Sequence, residues 1–201
     1  MNSPIQLNDQ IRDAFLELAN IGIGRAAAAM SELVGRHIRI SVPSIQFSQL
    51  DPSSSIPEFH SSATVQVIQE FQQGLEGRAL LILSRDGACG ISSLMLGEEI
   101  DPDTFGATEQ AAILELANIM IGGLTGSLCN SLQMSITYAP PELQLISDDH
   151  ISLGPWHANH PVGVILKASL SLENCDIASY IALVLTEPSF KTLESKIQNV
   201  L

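Results

Sequence analysis

The sequence is short of basic residues. Nine lysines and arginines stand against 22 aspartates and glutamates among 201 residues, which gives a formal net charge of −13 at pH 7. Nucleic acid and anionic membrane surfaces repel a chain with this charge, so the composition argues against both as partners. A charged partner is instead expected to carry a basic patch.

Cysteine is also scarce, with Cys89, Cys129 and Cys175 at wide spacings and no Cys-x-x-Cys pair. An odd number of widely spaced cysteines favours free, buried thiols over disulfides or a zinc site. The first residues, Met-Asn-Ser-Pro-Ile-Gln, have neither the basic nor the apolar region of a secretory signal. These features together predict a cytoplasmic protein.

Apolar runs long enough to span a membrane are not expected either. The most apolar long segment, 111–134, is interrupted by Glu115, Asn118 and Asn130, which is typical of a core helix. Hydrophobic residues make up 45% of the chain and charged residues 15%, as in compact globular proteins. The chain is long enough for one substantial core, or for two small halves joined through one sheet.

What the sequence does contain is an internal repeat. Leu-Glu-Leu-Ala-Asn-Ile starts at Leu16 and again at Leu114, about half the chain length further on. A six-residue match at that separation indicates a duplicated unit. Strand-like blocks at 79–84 and 181–186, each followed by a helical pattern, support the duplication independently.

The first copy of the repeat lies in a helical pattern with one polar arc. At about 100° per residue, Asp13, Glu17, Asn20 and Gly24 fall within about 60° of one another. We therefore expect Glu17 and Asn20 to face solvent. A solvated helix face tolerates almost any polar residue, so the same Glu and Asn in both halves indicate a function. The opposite face is predicted to be buried through Ile11, Phe15, Leu18, Gly22, Ala29 and Leu33.

The predicted fold is α/β and internally duplicated. We predict a single domain, 1–201, whose halves, 1–100 and 101–201, each have the order helix, three strands, helix. One continuous sheet should relate them by a pseudo-two-fold axis and carry both motif helices on one face. The predicted helices are 8–35, 86–97, 107–132 and 188–200, and the predicted strands are 38–47, 64–71, 78–84, 134–147, 161–172 and 177–186.

Several familiar site types are not indicated. Gly22-Ile-Gly24 lies inside a helix, whereas a dinucleotide loop follows a strand and opens a helix. His150, His157 and His160 share one polar loop without the regular spacing of metal ligands, which favours a solvated loop. We recognise no phosphate-cradling loop or Gly-x-Ser-x-Gly elbow.

The repeated Glu and Asn cannot catalyse a reaction alone, because the pair includes neither a nucleophile nor a set of metal ligands. An Asn amide carries a donor and an acceptor, so it can orient a water molecule, as a glutamine does in small GTPases. The missing parts would come from a partner that brings its own phosphorylated side chain and Mg²⁺. No metal or cofactor of the chain's own is expected.

These residues resemble the CheC family of chemotaxis phosphatases. The family motif is Asp or Ser, three residues, Glu, two residues, Asn, twenty-two residues, Pro. Asp13, Glu17, Asn20 and Pro43 match it in full. Glu115, Asn118 and Pro141 match it in the second half, where Ala111 takes the place of the Asp or Ser.

The resemblance implies dephosphorylation of the response regulator CheY, whose aspartyl phosphate and Mg²⁺ supply the electrostatics. Asn20 and Asn118 would orient the attacking water, and Glu17 and Glu115 would pair with a lysine of the regulator. Asp13 would support the first site. Ala111 offers no such support, so the second site is expected to be a few-fold weaker.

Two alternatives remain at this point. Some CheC relatives bind the deamidase CheD, which the resemblance therefore adds as a candidate partner. Flagellar switch proteins share the family fold, so a scaffold that binds a response regulator without catalysis is the competing function. Substitution of Asn20 and Asn118 separates a phosphatase from a scaffold.

Overall fold

The structure is a computed structural model that describes residues 3–50, 64–101, 105–146, 161–172 and 175–200. Within these ranges the chain forms four helices and one eight-stranded sheet. The helices are α1 (Asp9–Val34), α2 (Arg85–Leu96), α3 (Ala107–Ser131) and α4 (Glu187–Gln198). The strands are β1 (Ser3–Pro4), β2 (Ile38–Gln49), β3 (Thr64–Gln72), β4 (Gly77–Ser84), β5 (Thr137–Tyr138), β6 (Glu142–Ile146), β7 (Val162–Leu172) and β8 (Cys175–Leu185).

Local sequence signals set the ends of the helices. The Asn8 side chain accepts a hydrogen bond from a backbone N–H of the first turn of α1, and Gly35 ends that helix with φ 69°. Ser84 caps the N-terminus of α2, and Thr186 caps that of α4. In each half a hydroxyl residue at the end of the last strand, or directly after it, therefore starts the next helix.

The strand order shows the predicted duplication. It runs β1-β2-β7-β8-β4-β3, with β5 and β6 both paired to β3, and all pairs are antiparallel. Exchanging β2 with β6, β3 with β7 and β4 with β8 reproduces this order in reverse. A pseudo-two-fold axis between β4 and β8 relates the halves, as predicted.

All four helices pack on one face of this sheet. Phe15, Ile91, Leu116 and Phe190, one from each helix, belong to a single core cluster that also contains the inward residues of the strands. The prediction that both motif helices share one face is therefore confirmed. The opposite face carries a smaller apolar cluster, formed by Leu50, Ile68, Leu80, Ile82, Ile165, Ala182 and Val184.

Burial in this core explains the apolar composition of α3. By length and composition it is the one described helix that could cross a membrane. Most of its apolar stretch is buried inside the protein, as a core helix requires. Cys89 and Cys129 are free and buried, as predicted. The side chain of Cys175 and the histidine-containing loop lie outside the described residues.

Two predictions were wrong in detail. The strand predicted at 134–147 is divided into β5 and β6, because the chain leaves the ladder around Pro141. On α1, Ala29 and Leu33 are exposed, and the exposed fraction of Leu33 is 54%. The buried face of α1 instead passes through Ala19, Ile23, Ala26 and Met30.

Candidate functional site

The first site is the exposed face of α1 that carries Glu17 and Asn20. Both side chains are exposed, as is Asp13 one turn earlier. Phe15 and Ala19, which lie between Asp13 and Asn20 in sequence, are buried in the core. The burial of this side of α1 turns the polar arc to solvent, as the helical spacing predicted. Ile21 lies next to Asn20 with 41% of its surface exposed.

The second site is the corresponding face of α3. Glu115 and Asn118 are exposed, and so is Ala111 at the position that corresponds to Asp13. Leu116 and Ala117, between Glu115 and Asn118, are fully buried. The structure therefore presents the same pair of side chains to solvent from both halves, with a carboxylate one turn upstream in the first half alone.

Contact between two glycines fixes the two motif helices against each other. A Cβ atom added to Gly22 of α1 would lie 2.6 Å from the carbonyl oxygen of Gly123 in α3. A Cβ atom added to Gly123 would lie 2.8 Å from the carbonyl oxygen of Gly22 and 3.0 Å from Cβ of Ala26. The helix backbones touch directly, which other residues would prevent. Both sites are thus built on one rigid pair of helices.

Two further glycines have no packing explanation within the described chain. Gly24 and Gly122 each follow a motif Asn by about one helical turn. A Cβ atom added to either would meet nothing within 4 Å. Glycine inside a helix costs about 1 kcal/mol relative to alanine. Their repetition in both halves leaves bare helix backbone beside each Asn, open to close approach by another molecule.

The first motif proline lies where the strand pairing slips by one residue. The step from Ser41 to Ser44 on β2 is matched by the shorter step from Ser169 to Lys167 on β7. One additional residue is therefore accommodated on β2 beside Pro43, which is a β-bulge. Proline has no N–H to contribute to a ladder, so a bulge is a position where a strand accepts it.

The second half repeats this slip. Tyr138 of β5 pairs with Phe71 of β3, and Glu142 of β6 pairs with Ile68. One additional residue is again accommodated on the motif strand, in the interruption that contains Pro141. The spacing from Asn to Pro in the motif thus connects each site helix to a bulge in a strand that packs against it.

Gln69, which no motif in the sequence indicated, contacts the Asn118 side chain. Gln69 lies on β3 and is 6% exposed. Its Nε2 donates to Oδ1 of Asn118 at 3.4 Å and to the backbone oxygen of Ala139 at 3.2 Å. A glutamine in the inward-facing row of a core strand is the signal that could have found it, because such rows are normally apolar.

A second hydrogen-bond chain ties β5 to α3. Thr125 Oγ1 donates to the backbone oxygen of Ile121, so the Tyr138 hydroxyl, at 2.6 Å, is the donor to Thr125 Oγ1. Burial raises the pKa of the Tyr138 phenol above its ordinary value. The phenol therefore keeps its proton and remains a donor at neutral pH.

The chemistry available at either site is limited. The described residues contain no group of three or more His, Cys, Asp or Glu side chains that could hold a metal ion. Each site offers a carboxylate and an amide on an open helix face. Such a pair can form an ion pair with a partner and orient a water molecule.

Sequence comparison gives two informative relatives and one family. The CheC-like family model matches residues 11–46, which include Asp13, Glu17, Asn20 and Pro43. The flagellar motor switch phosphatase FliY of Bacillus subtilis is 29% identical over 143 residues, which cover 70% of this chain and 37% of FliY. The CheY-P phosphatase CheC of Bacillus subtilis is 26% identical over 145 residues, which cover 69% of this chain and 68% of CheC.

Solved structures agree in fold. The crystal structure of Thermotoga maritima FliY superposes with a TM-score of 0.79 at 24% identity, covering 97% of this chain and 99% of that one. This chain therefore resembles CheC and FliY in its motif region and shares their fold. A complex of CheX with CheY, BeF3 and Mg²⁺ from Borrelia burgdorferi shares the fold more distantly, with a TM-score of 0.51 at 15% identity over 87% of this chain and 97% of that one.

Proposed function

We propose that this protein hydrolyses the aspartyl phosphate of a CheY-like receiver domain. One observation carries the proposal: both halves present the motif Glu and Asn to solvent from equivalent helices. Its relatives FliY and CheC are both named as phosphatases, and CheC as acting on CheY-P. The region matched in FliY is about a third of that protein, so its name alone does not carry the activity over.

The proposed reaction is attack by water on the phosphorus atom. The Asn20 or Asn118 amide holds the water in line with the bond between phosphorus and the aspartyl oxygen. As the new P–O bond forms, that bond breaks, and the receiver's carboxylate leaves with the bonding electrons. The water proton passes to the departing inorganic phosphate or to solvent. The amide is not consumed, so one site turns over repeatedly.

The carboxylates serve binding in this proposal. Glu17 and Glu115 form ion pairs with a lysine of the receiver, as the family resemblance implies. Asp13 adds a second negative charge one turn away, on the side from which the partner approaches. The Mg²⁺ that neutralises the phosphoryl group is held by the receiver domain, and the chain contributes no metal ligand to it.

The test is phosphate release from a phosphorylated CheY-like receiver in the presence and absence of EDTA. We expect the wild-type protein to accelerate release only with Mg²⁺, and the double variant Asn20→Ala/Asn118→Ala to be inactive while still binding the receiver. A double variant with wild-type turnover would contradict the proposal. It would leave the scaffold function, in which the protein binds the regulator or a CheD-like partner without catalysis.

This proposal places the protein in the cytoplasm, where response regulators act. A matched control is Ala29→Ser in the wild-type protein, which adds a small polar group at an exposed position of α1 outside the motif. It should change release by less than twofold, as expected of an exposed surface substitution.

A further inference from the structure

Gln69 interrupts an apolar row in the core. The β3 residues that face the helices are Val65, Val67, Gln69 and Phe71, and all four are buried. A buried amide destabilises such a row unless its donors and acceptors are satisfied. The position therefore needs an explanation in terms of what the amide contacts.

The other half shows that the fold does not require an amide at this position. Ser44 and Glu142 each directly follow the motif proline of their half; Ser44 pairs with Lys167 of β7, and Glu142 pairs with Ile68 of β3. Lys167 is thus the counterpart of Ile68, and Ala168 is the counterpart of Gln69. Ala168 is buried, and it has no polar side-chain atom with which to hold Asn20.

The hydrogen bonds of Gln69 fix the orientation of two amides. The backbone oxygen of Ala139 can only accept, so the Nε2 hydrogens of Gln69 must face it. The second Nε2 hydrogen then meets Oδ1 of Asn118. Asn118 is thereby turned so that its own Nδ2 hydrogens and the second lone pair of Oδ1 remain available to a partner.

We propose that Gln69 is a positioning residue for Asn118 and makes the second site pre-oriented, whereas the first site is not. The inference rests on the proposed function of Asn118. Restricting the amide to one orientation before the receiver docks removes part of the ordering that the transition state would otherwise require. The effect should appear in kcat of the second site and leave KM unchanged, because Gln69 itself is buried and does not touch the receiver.

The experiment places Gln69→Leu in two single-site proteins. In Asn20→Ala, which works through Asn118, we expect Gln69→Leu to lower kcat about fivefold with KM unchanged. In Asn118→Ala, which works through Asn20, the same substitution should leave kcat and KM as they were. The second protein reports directly whether the substituted core still folds and docks.

Tyr138→Phe is the matched control, because it removes a hydrogen bond between β5 and α3 without touching Asn118. It should affect both single-site proteins alike. The inference is overturned if Gln69→Leu leaves kcat of Asn20→Ala unchanged. It is also overturned if Gln69→Leu and Gln69→Met both lower kcat equally in the two single-site proteins. Wild-type turnover in Asn20→Ala/Asn118→Ala, with Gln69 unchanged, would instead contradict the proposed function.

Discussion

The two sites share their working pair and differ in what surrounds it. Both have an exposed Glu and Asn, an open glycine one turn later and a bulged strand at the motif proline. The first has Asp13 one turn before its Glu, and Ala168 is at the strand position that corresponds to Gln69. The second has Ala111 in place of Asp13, and Gln69 contacts its Asn. In our proposal, the duplication keeps the Glu and Asn pair in both halves, and each half has a different support for it: Asp13 for binding in the first and Gln69 for orientation in the second.

The largest expected effect comes from the two amides. Asn20→Ala/Asn118→Ala should lower kcat by about 100-fold or more, by analogy with removal of a preorganised polar group from other active sites. The single variants isolate one site each. Asn118→Ala, which keeps Asp13, should show the lower KM, and Asn20→Ala, which keeps Gln69, the higher kcat. Phosphate release measured over a range of receiver concentrations separates the two constants, and equal KM values in the single variants would remove the distinction between the sites.

The next effect concerns the contact that joins the two motif helices. Gly22→Ala places a methyl group against the Gly123 backbone and should destabilise the protein by about 2 kcal/mol, as overpacking does. Gly24→Ala is the matched control two residues away, where the methyl group meets open space. It should stabilise the protein by about 0.5–1 kcal/mol while raising KM for the receiver, since it covers the bare backbone beside Asn20. Urea denaturation measures the first quantity, and equal stabilities in the two variants would be inconsistent with the close helix contact.

Repetition and helical spacing made most of this molecule predictable. The motif helices, their polar arc and the exposure of Glu17 and Asn118 all depend on residues close together in sequence. The same local information places Ser84 and Thr186 before their helices.

What could not be predicted depends on contacts distant in sequence. The division of β5 from β6 follows from the slip of one residue against β3, which a single strand pattern does not contain. The role of Gln69 requires β3 to lie beneath α3, so its sequence position alone identifies no partner. Leu33, assigned to the buried stripe, is exposed because helix period alone does not say where the packing partners of α1 end.

A smaller effect is expected from the hydrogen bond between the hydroxyls of Tyr138 and Thr125, a pair that the second half alone has. Tyr138→Phe should destabilise the protein by about 1 kcal/mol at neutral pH, the usual value of one hydrogen bond. Because burial raises the pKa of Tyr138, the folded state holds this proton more tightly than the unfolded state. The contribution is complete below about pH 10 and declines above it. Urea titrations measure the free energy of unfolding of the wild-type protein and of Tyr138→Phe. The difference between the two values should be smaller above that pH than below it, and a constant difference would contradict a buried, protonated phenol.

The smallest effect is expected from giving position 111 the carboxylate that the first site has at Asp13. Ala111→Asp, introduced into Asn20→Ala, gives the second site the carboxylate of the first and should lower its KM by a few-fold, corresponding to less than about 1 kcal/mol. The gain should fade with added salt, because exposed charges are screened. Ala111→Asn, of the same shape without the charge, is the control. If both substitutions lower KM equally, the difference between Asp13 and Ala111 does not act through charge.

The interleaved strand order also constrains how the chain is made. β2 lies between β1, which is two residues long, and β7, with Ile38 paired to Leu172 near the other end of the chain. A nascent chain that has completed α2 therefore still lacks the main partner of β2, and the core beneath α1 cannot close. Folding of this sheet must wait until β7 has left the ribosome, and until then the first half exposes an unpaired strand and an apolar helix face, surfaces of the kind that chaperones bind.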